Sequence, residues 1–315
     1  MKISHQATIG APVSLSGTGV HSGKTVNLHL HPAPANHGIQ FLRTGLSHGR
    51  ERLIEARFAS VTATELCTVV GEQESGAVAT IEHLMAAFTG LGVDNVLVEI
   101  DGAEVPILDG SAAPFVEAID EVGLVRSKAP RKFLKVLRPV RVERGIASAE
   151  LLPNAKGFRL DVSIDFQNAV IGKQRKVLDL TPDAFRQDVC RARTFGFIGD
   201  VEKLWKAGFA LGASLENTVA IDDNAVINPE GLRFADEFVR HKMLDAVGDL
   251  SLAAHPLLAT YRSHCSGHRL NVAVLEALFS DRANYAIVDG GARRETGYAE
   301  IGNGIAVPAY AADTH

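Results

Sequence analysis

Short stretches of this chain alternate apolar and polar residues, and longer ones repeat apolar residues every three or four positions. In "TVNLHLHP" (25–32), Val26, Leu28 and Leu30 alternate with Asn27, His29 and His31, the period of a half-buried strand. "DNVLVEIDG" (94–102) predicts a second strand. "GFRLDVSIDF" (157–166) predicts a third, with Phe158, Leu160, Val162, Ile164 and Phe166 on one face. In "TIEHLMAAFTGLG" (80–92), Ile81, Leu84, Met85, Phe88 and Leu91 form the stripe of an amphipathic helix. A second stripe, His83, Ala86, Ala87 and Gly90, is small except for the histidine, so another layer can approach closely and the helix should be covered on two sides. "DGSAAPFVEAIDEVG" (109–123) predicts a helix capped by Asp109 or Ser111 and stopped by Gly123. Further helices are expected over 235–254 and 267–279.

Strand runs followed by helices in both halves suggest two α+β domains, each a sheet packed on helices. The charged, Pro-containing stretch "GLVRSKAPRKFLKV" (123–136) is the linker candidate. The expected division is an N-terminal domain over 1–126, a C-terminal domain over 132–300, and a loose tail over 301–315.

Composition narrows the function. Of 315 residues, 46% are hydrophobic and 22% charged, as in soluble globular proteins, and the formal charge of −5 argues against binding nucleic acid through bulk electrostatics. An anionic small substrate would need only a local basic cluster. Three scattered cysteines, Cys67, Cys190 and Cys265, offer neither a disulfide framework nor a thiolate zinc site. "MKISHQATIG" has no hydrophobic signal core and no apolar run spans a bilayer, so the expected address is cytoplasmic, without stable membrane insertion.

One helix carries unusual chemistry. In "RHKMLDAVGDL" (240–250), His241, Asp245 and Asp249 recur every fourth residue and fall within roughly an 80° arc, opposite Val239, Met243, Ala246, Val247 and Leu250. Buried carboxylates need a partner, so this face is either wet or set against a cation. His241 and Asp245, roughly 6 Å apart along the axis, suit one ion; Asp249, roughly 12 Å from His241, does not, and is expected to orient another group. A solvated helix with a chance ion pair is the competing reading from spacing alone.

A catalytic zinc site takes three protein ligands and an open position. "IEHLM" is the natural source of the third: His83 could face the ion while Glu82 reaches a water beside it. The pair alone is weak, and no HExxH is present. His264 and His268 in "SHCSGHRLN" are also four apart, but Gly267 should break a helix between them. His268, opening the last long helix, can present an imidazole to a cleft. His5, His29, His31, His37, His48, His255 and His315 have no usable partner spacing and are expected on surfaces or loops. His21, in the Gly-rich "GTGVHSGK", is the exception that a turn can bring to a site, although the segment lacks the spacing of a phosphate loop.

Taken together, "TIEHLMAAFTGLG", "DGSAAPF", "CRARTFGF", "LGASLENT", "GLRFADEFVRHKMLDAVGDL" and "SGHRLN", in that order, closely resemble the UDP-3-O-acyl-N-acetylglucosamine deacetylase (LpxC) family from about residue 3 to beyond 290. The resemblance implies a two-domain α+β fold with helices sandwiched between the two sheets, and a zinc-dependent hydrolase that removes the N-acetyl group from UDP-3-O-acyl-N-acetylglucosamine in lipid A biosynthesis. By position, His83, His241 and Asp245 match the zinc ligands, and Fe2+ could use the same set. Glu82 matches the general base, His268 the general acid, Asp249 its charge partner and Thr194 the oxyanion hydroxyl. Phe195 and Lys242 match substrate-lining positions, His21 is a substrate-binding candidate through its Gly-rich turn, and Lys242, Arg191 and Arg193 are the cations best placed in sequence for a diphosphate. Arg269 and Val272 depart from the family's usual "GHALNN", and Glu65 stands where a hydrophobic residue can occur near the acyl passage. The implied partner is the UDP-linked acylated glucosamine, handled by a monomer. The alternatives are a metallohydrolase of another acylated amino sugar and a non-catalytic nucleotide-sugar-binding relative.

Overall fold

A computed structural model of the chain describes residues 4–290, so the expected tail over 301–315 lies outside the described residues. The fold is α+β. A five-stranded sheet takes its strands from the first third of the chain, in the order Val13–Thr18, Thr25–Pro32, Val96–Ile100, Ile39–Arg43, Arg52–Glu55. Neighbours run antiparallel except Ile39–Arg43, which is parallel to Val96–Ile100. A seven-stranded sheet follows. Its central strand Leu257–His264 pairs with Ala147–Pro153, Phe158–Asp165 and Lys132–Val136. Val140–Arg144, Lys173–Asp179 and Tyr285–Asp289 extend it outward.

Six helices are described: α1 (Glu82–Leu91), α2 (Ala113–Val122), α3 (Pro182–Asp188), α4 (Ile198–Lys206), α5 (Glu237–Leu250) and α6 (His268–Phe279). One hydrophobic cluster runs from Leu28, Phe41 and Val98 of the first sheet, through Leu84 and Phe88 of α1, Leu244 and Val247 of α5 and Leu275 of α6, to Leu134, Leu160 and Tyr261 of the second. The helices thus form the middle layer that each sheet needs to bury its apolar face. In α1 only Thr89 is not fully buried, in keeping with the two-sided cover its small stripe requires. Two glycines show how tight that cover is. A Cβ on Gly90 would enter the Phe185 ring of α3, and one on Gly248 of α5 would collide with the Glu82 carbonyl at the start of α1. That second approach brings the two chemical helices together.

Two expectations are corrected. The stretch 123–136 is not a linker: Leu124–Pro130 pairs antiparallel with His5–Ile9, and Lys132–Val136 is an inner strand of the seven-stranded sheet. Backbone pairing needs no apolar composition, so charge and a proline at a strand end hid both strands. Helix α2 begins one residue later than a Ser111 cap requires, although Ser111 Oγ accepts from Ala113 N at 3.1 Å. Ala112 occupies the cap position, Asp109 Oδ1 accepts from Ser111 N and Oγ, and its Oδ2 accepts from Arg233 at 2.8 Å. The aspartate is committed to a tie with the second half of the chain.

Candidate metal centre

The His/Asp face of α5 is dry. His241, Asp245 and Asp249 are 2%, 1% and 1% exposed, as buried as the apolar residues opposite, so the wet-face reading is excluded. One ligand-capable atom each from His83, His241 and Asp245 lies within 4.8 Å of the others. Oδ1 of Asp245 is 3.6 Å from His83 Nε2 and 3.3 Å from His241 Nε2, and the two rings meet edge to face at 5.0 Å. This Oδ1 is buried and finds no hydrogen-bond partner in the protein. Two imidazole nitrogens and an orphaned carboxylate oxygen around one point are a donor set that a divalent cation satisfies.

The surroundings suit that purpose. Ala192 O accepts from His241 Nδ1 at 3.1 Å when that nitrogen carries the proton, which turns the Nε2 lone pair toward the cluster. Burial pushes the His241 pKa down to about 3 against the pull of Asp245, so the ring stays neutral. Burial opposes ionisation of Asp245, but its neighbours, with the Lys242 ammonium the full positive charge among them, prevail and hold its carboxyl well below the usual range. Lys242 Nζ donates to Asp245 Oδ2 at 2.8 Å, leaving Oδ1 free.

Glu82 and His268 stand beside the cluster. Glu82 Oε2 accepts from Thr68 N at 3.1 Å, and its Oε1 lies 3.8 Å from His268 Nε2. Burial raises the Glu82 pKa despite the opposing His268 and His83 charges, making it a stronger base than an exposed carboxylate. His268 opens α6 behind Gly267, as its sequence context suggested, and its Nδ1 is 2.9 Å from Asp249 Oδ2. Asp249 also accepts from Thr68 Oγ1 and Asn271 Nδ2, at 2.6 and 2.8 Å, which fixes its orienting position away from the cluster. The backbone of Thr194 is held at both ends, its N donating to Gly110 O and its O accepting from Val219 N. Phe195 packs edge-on to His241 at 6.0 Å, with Lys242 Nζ 5.6 Å from its ring centre. The His21 ring meets Phe209 edge-on, and its backbone N donates to Glu104.

Of the three cations expected at a diphosphate, Arg193 is withdrawn. It is 2% exposed and bound to Glu237, Glu230 and the Gly231 carbonyl, so its charge is spent inside the protein. Arg191 is exposed and Lys242 borders the cluster. Sequence reasoning missed Thr68, Asn271 and Glu237. Asn271 lies three residues past His268, a spacing that puts both on one helical face and was available as a signal. Thr68 carried none, because it comes from a loop distant in sequence.

Comparison with known proteins agrees with this geometry. The family profile described as LpxC, UDP-3-O-acyl N-acetylglycosamine deacetylase, matches residues 6–280. Proteins named UDP-3-O-acyl-N-acetylglucosamine deacetylase from Brucella ovis, Brucella canis and Brucella melitensis biotype 2 are each 48% identical over 286 residues, covering 90% of this chain and 99% of theirs. With a match over nearly the whole described length, and with a possible His-His-Asp metal site where the two chemical helices meet, the chain belongs to the LpxC family of UDP-3-O-acyl-N-acetylglycosamine deacetylases.

Proposed function

We propose that this chain is a zinc-dependent amidohydrolase that removes the N-acetyl group of UDP-3-O-acyl-N-acetylglucosamine in lipid A biosynthesis. The observation that carries the reading is the convergence of His83, His241 and Asp245 with Glu82 and His268 immediately beside them. Family membership supplies the substrate. His83, His241 and Asp245 would hold the cation, zinc or Fe2+, which when bound supplies Lewis-acid polarisation of the amide carbonyl and a more acidic attacking water.

The protein's own residues do the rest. Glu82 takes the proton from the water as it attacks the carbonyl carbon. The Thr194 hydroxyl donates to the oxygen on which negative charge develops. An amine leaves poorly unless protonated, so His268, held as imidazolium by Asp249, delivers a proton to the departing nitrogen, and acetate and the free amine result. Phe195, Lys242, His21 and Arg191 line the substrate side. No described helix is long and apolar enough to cross a membrane, which is compatible with a cytoplasmic monomer acting on a soluble nucleotide sugar. The division into units over 1–126 and 132–300 is supported by the two large sheets, each drawn from one side of residue 131.

The test is to incubate the purified protein with the UDP-sugar and measure released acetate, with and without a chelator. Chelator-sensitive acetate release is expected; no release by the metal-loaded protein would end the proposal.

A further inference from the structure

A second concavity lies at the other end of the helix layer. It is a cavity of about 410 Å³ at the C-terminal ends of α1, α5 and α6, bounded also by the first-sheet residues Ile39 and Gln40 and the second-sheet residue Ile287. Along α5 it begins at Val247 and Leu250, roughly 9 Å past Asp245 by the time the chain reaches Ser251. Along α1 it begins at Thr89, about two turns beyond Glu82, and it continues to Val93 just past the helix end. None of the proposed catalytic or metal-binding side chains lines it.

The lining divides into two kinds of surface. The apolar part includes Val93, Leu250 and Leu257 and the stacked rings of Phe58 and Phe279, whose centres are 4.5 Å apart, with Tyr285 edge-on to Phe279. Among the ionisable lining residues most are basic, Arg57, Arg131, Lys132, Arg282, His37 and His255, against two carboxylates, Glu55 and Asp94. Those carboxylates are already engaged, Asp94 by Arg131 at 2.7 Å and Glu55 by Arg57 at 2.9 Å. Lys132 and Arg282 have no carboxylate within ion-pair distance among the described residues; Arg282 donates to the Tyr285 hydroxyl. Asp289 stands opposite Lys132 across the strand pair without reaching it. Lys132 and Arg57 are close enough to His255 to help burial lower its pKa. Gln40 adds a buried Oε1 that finds no partner in the protein.

Basic residues also gather at helix C-termini for electrostatic reasons, and Arg131, set against Gly92 at the end of α1, is accounted for that way. Lys132 and Arg282 remain. Both are exposed, so a cavity of this size, part apolar and part polar within, carries surplus positive charge at its mouth and is built like a ligand site rather than a packing gap.

We propose that this cavity is a second binding site, separate from the metal centre, for an anionic amphiphile: one carboxylate or phosphate head at the exposed Lys132 and Arg282, on a single apolar chain lying over the half-buried rings of Phe58 and Phe279. The inference does not depend on the deacetylase reaction.

The test relocates the chain's single tryptophan. In a Trp205→Phe, Phe58→Trp protein, decanoate and decyl phosphate are titrated below their micelle concentrations, with decanol as the neutral control. A saturable fluorescence change with decanoate, decyl phosphate or both is expected, and the active probe identifies the preferred head. Decanol should bind at least tenfold more weakly, and adding Lys132→Glu or Arg282→Glu should weaken the anionic probes by a similar factor. In case the relocated tryptophan perturbs the fold, calorimetric titration of the unmodified protein against Lys132→Glu alone reads the same site and discounts any binding elsewhere. No saturable binding of either anion, equal binding of decanol, or charge-reversed proteins that bind normally would overturn the proposal.

Discussion

Arg193 sets its backbone N and its side-chain Nε against the same carboxylate oxygen of Glu237, each at 3.0 Å. Glu237 is four residues before His241 on α5, and Arg193 immediately precedes Thr194. The second Glu237 oxygen accepts from Arg233 N. A buried ion pair therefore staples the Thr194–Phe195 segment to the helix that supplies two metal-cluster residues. Removing one partner of a buried pair typically costs about 3–5 kcal/mol when the other charge is left unpaired; Arg193 would keep Glu230 and the Gly231 carbonyl, so the loss here belongs at the lower end of that range. Glu237→Ala is expected to lower the denaturant midpoint, by loss of the bonds to Arg193 and to Arg233 N. Replacing both partners by apolar residues should recover much of that loss, and a single variant with an unchanged midpoint would show that the staple is not needed.

Metal retention and turnover should separate. Glu82→Gln and His268→Gln leave the three cluster residues in place, so the protein should keep its metal while kcat falls by about 10²–10⁴. His83→Ala and Asp245→Ala should instead lower the metal content of the purified protein, because each removes one of three donors. Metal analysis beside acetate release checks both pairs, and normal turnover by Glu82→Gln would displace Glu82 from its role.

The close approach at Gly248 is a packing requirement with a chemical consequence. Gly248→Ala puts a methyl against the Glu82 carbonyl, so α5 and α1 must part or tilt. Overpacking of this kind costs about 1–3 kcal/mol. Because the displaced backbone carries Glu82 and His83, activity is expected to fall further than stability. Unfolding midpoint and acetate release measured on one preparation test this; an active, stable Gly248→Ala would show that the layer can relax there.

The chemistry of the site was more legible in the sequence than its framing. Period and spacing placed α1, α5 and α6, and put His241, Asp245 and Asp249 on one face, because each rests on helical geometry local to a few turns. The strands over 124–136 were hidden because their stabilising bonds are to the backbone of His5–Ile9 and to strands more than a hundred residues away. Arg193 read as a ligand for phosphate because an arginine's sequence neighbours do not reveal a buried glutamate 44 residues later. Thr68 was missed for the same reason, its carboxylate partner Asp249 being 181 residues away.

The pairing of His268 with Asp249 sets a pH dependence whose sign can be worked out. Burial disfavours the imidazolium, but Asp249 and Glu82 outweigh it and raise the His268 pKa to about 9. A raised pKa means that the ring keeps its proton through the neutral range and loses it only as pH climbs through that value. As proton donor to the leaving amine, His268 works in the protonated form, so turnover should persist at neutral pH and decline on the alkaline side. Asp249→Asn removes the negative charge, and the alkaline limb should move down by about one pH unit or more. Asp249 acts through the imidazole, so its loss should change kcat and the position of that limb more than KM. The pH profiles of the two metal-loaded proteins decide the point: an alkaline limb left in place by Asp249→Asn would mean that this carboxylate does not govern the proton on His268.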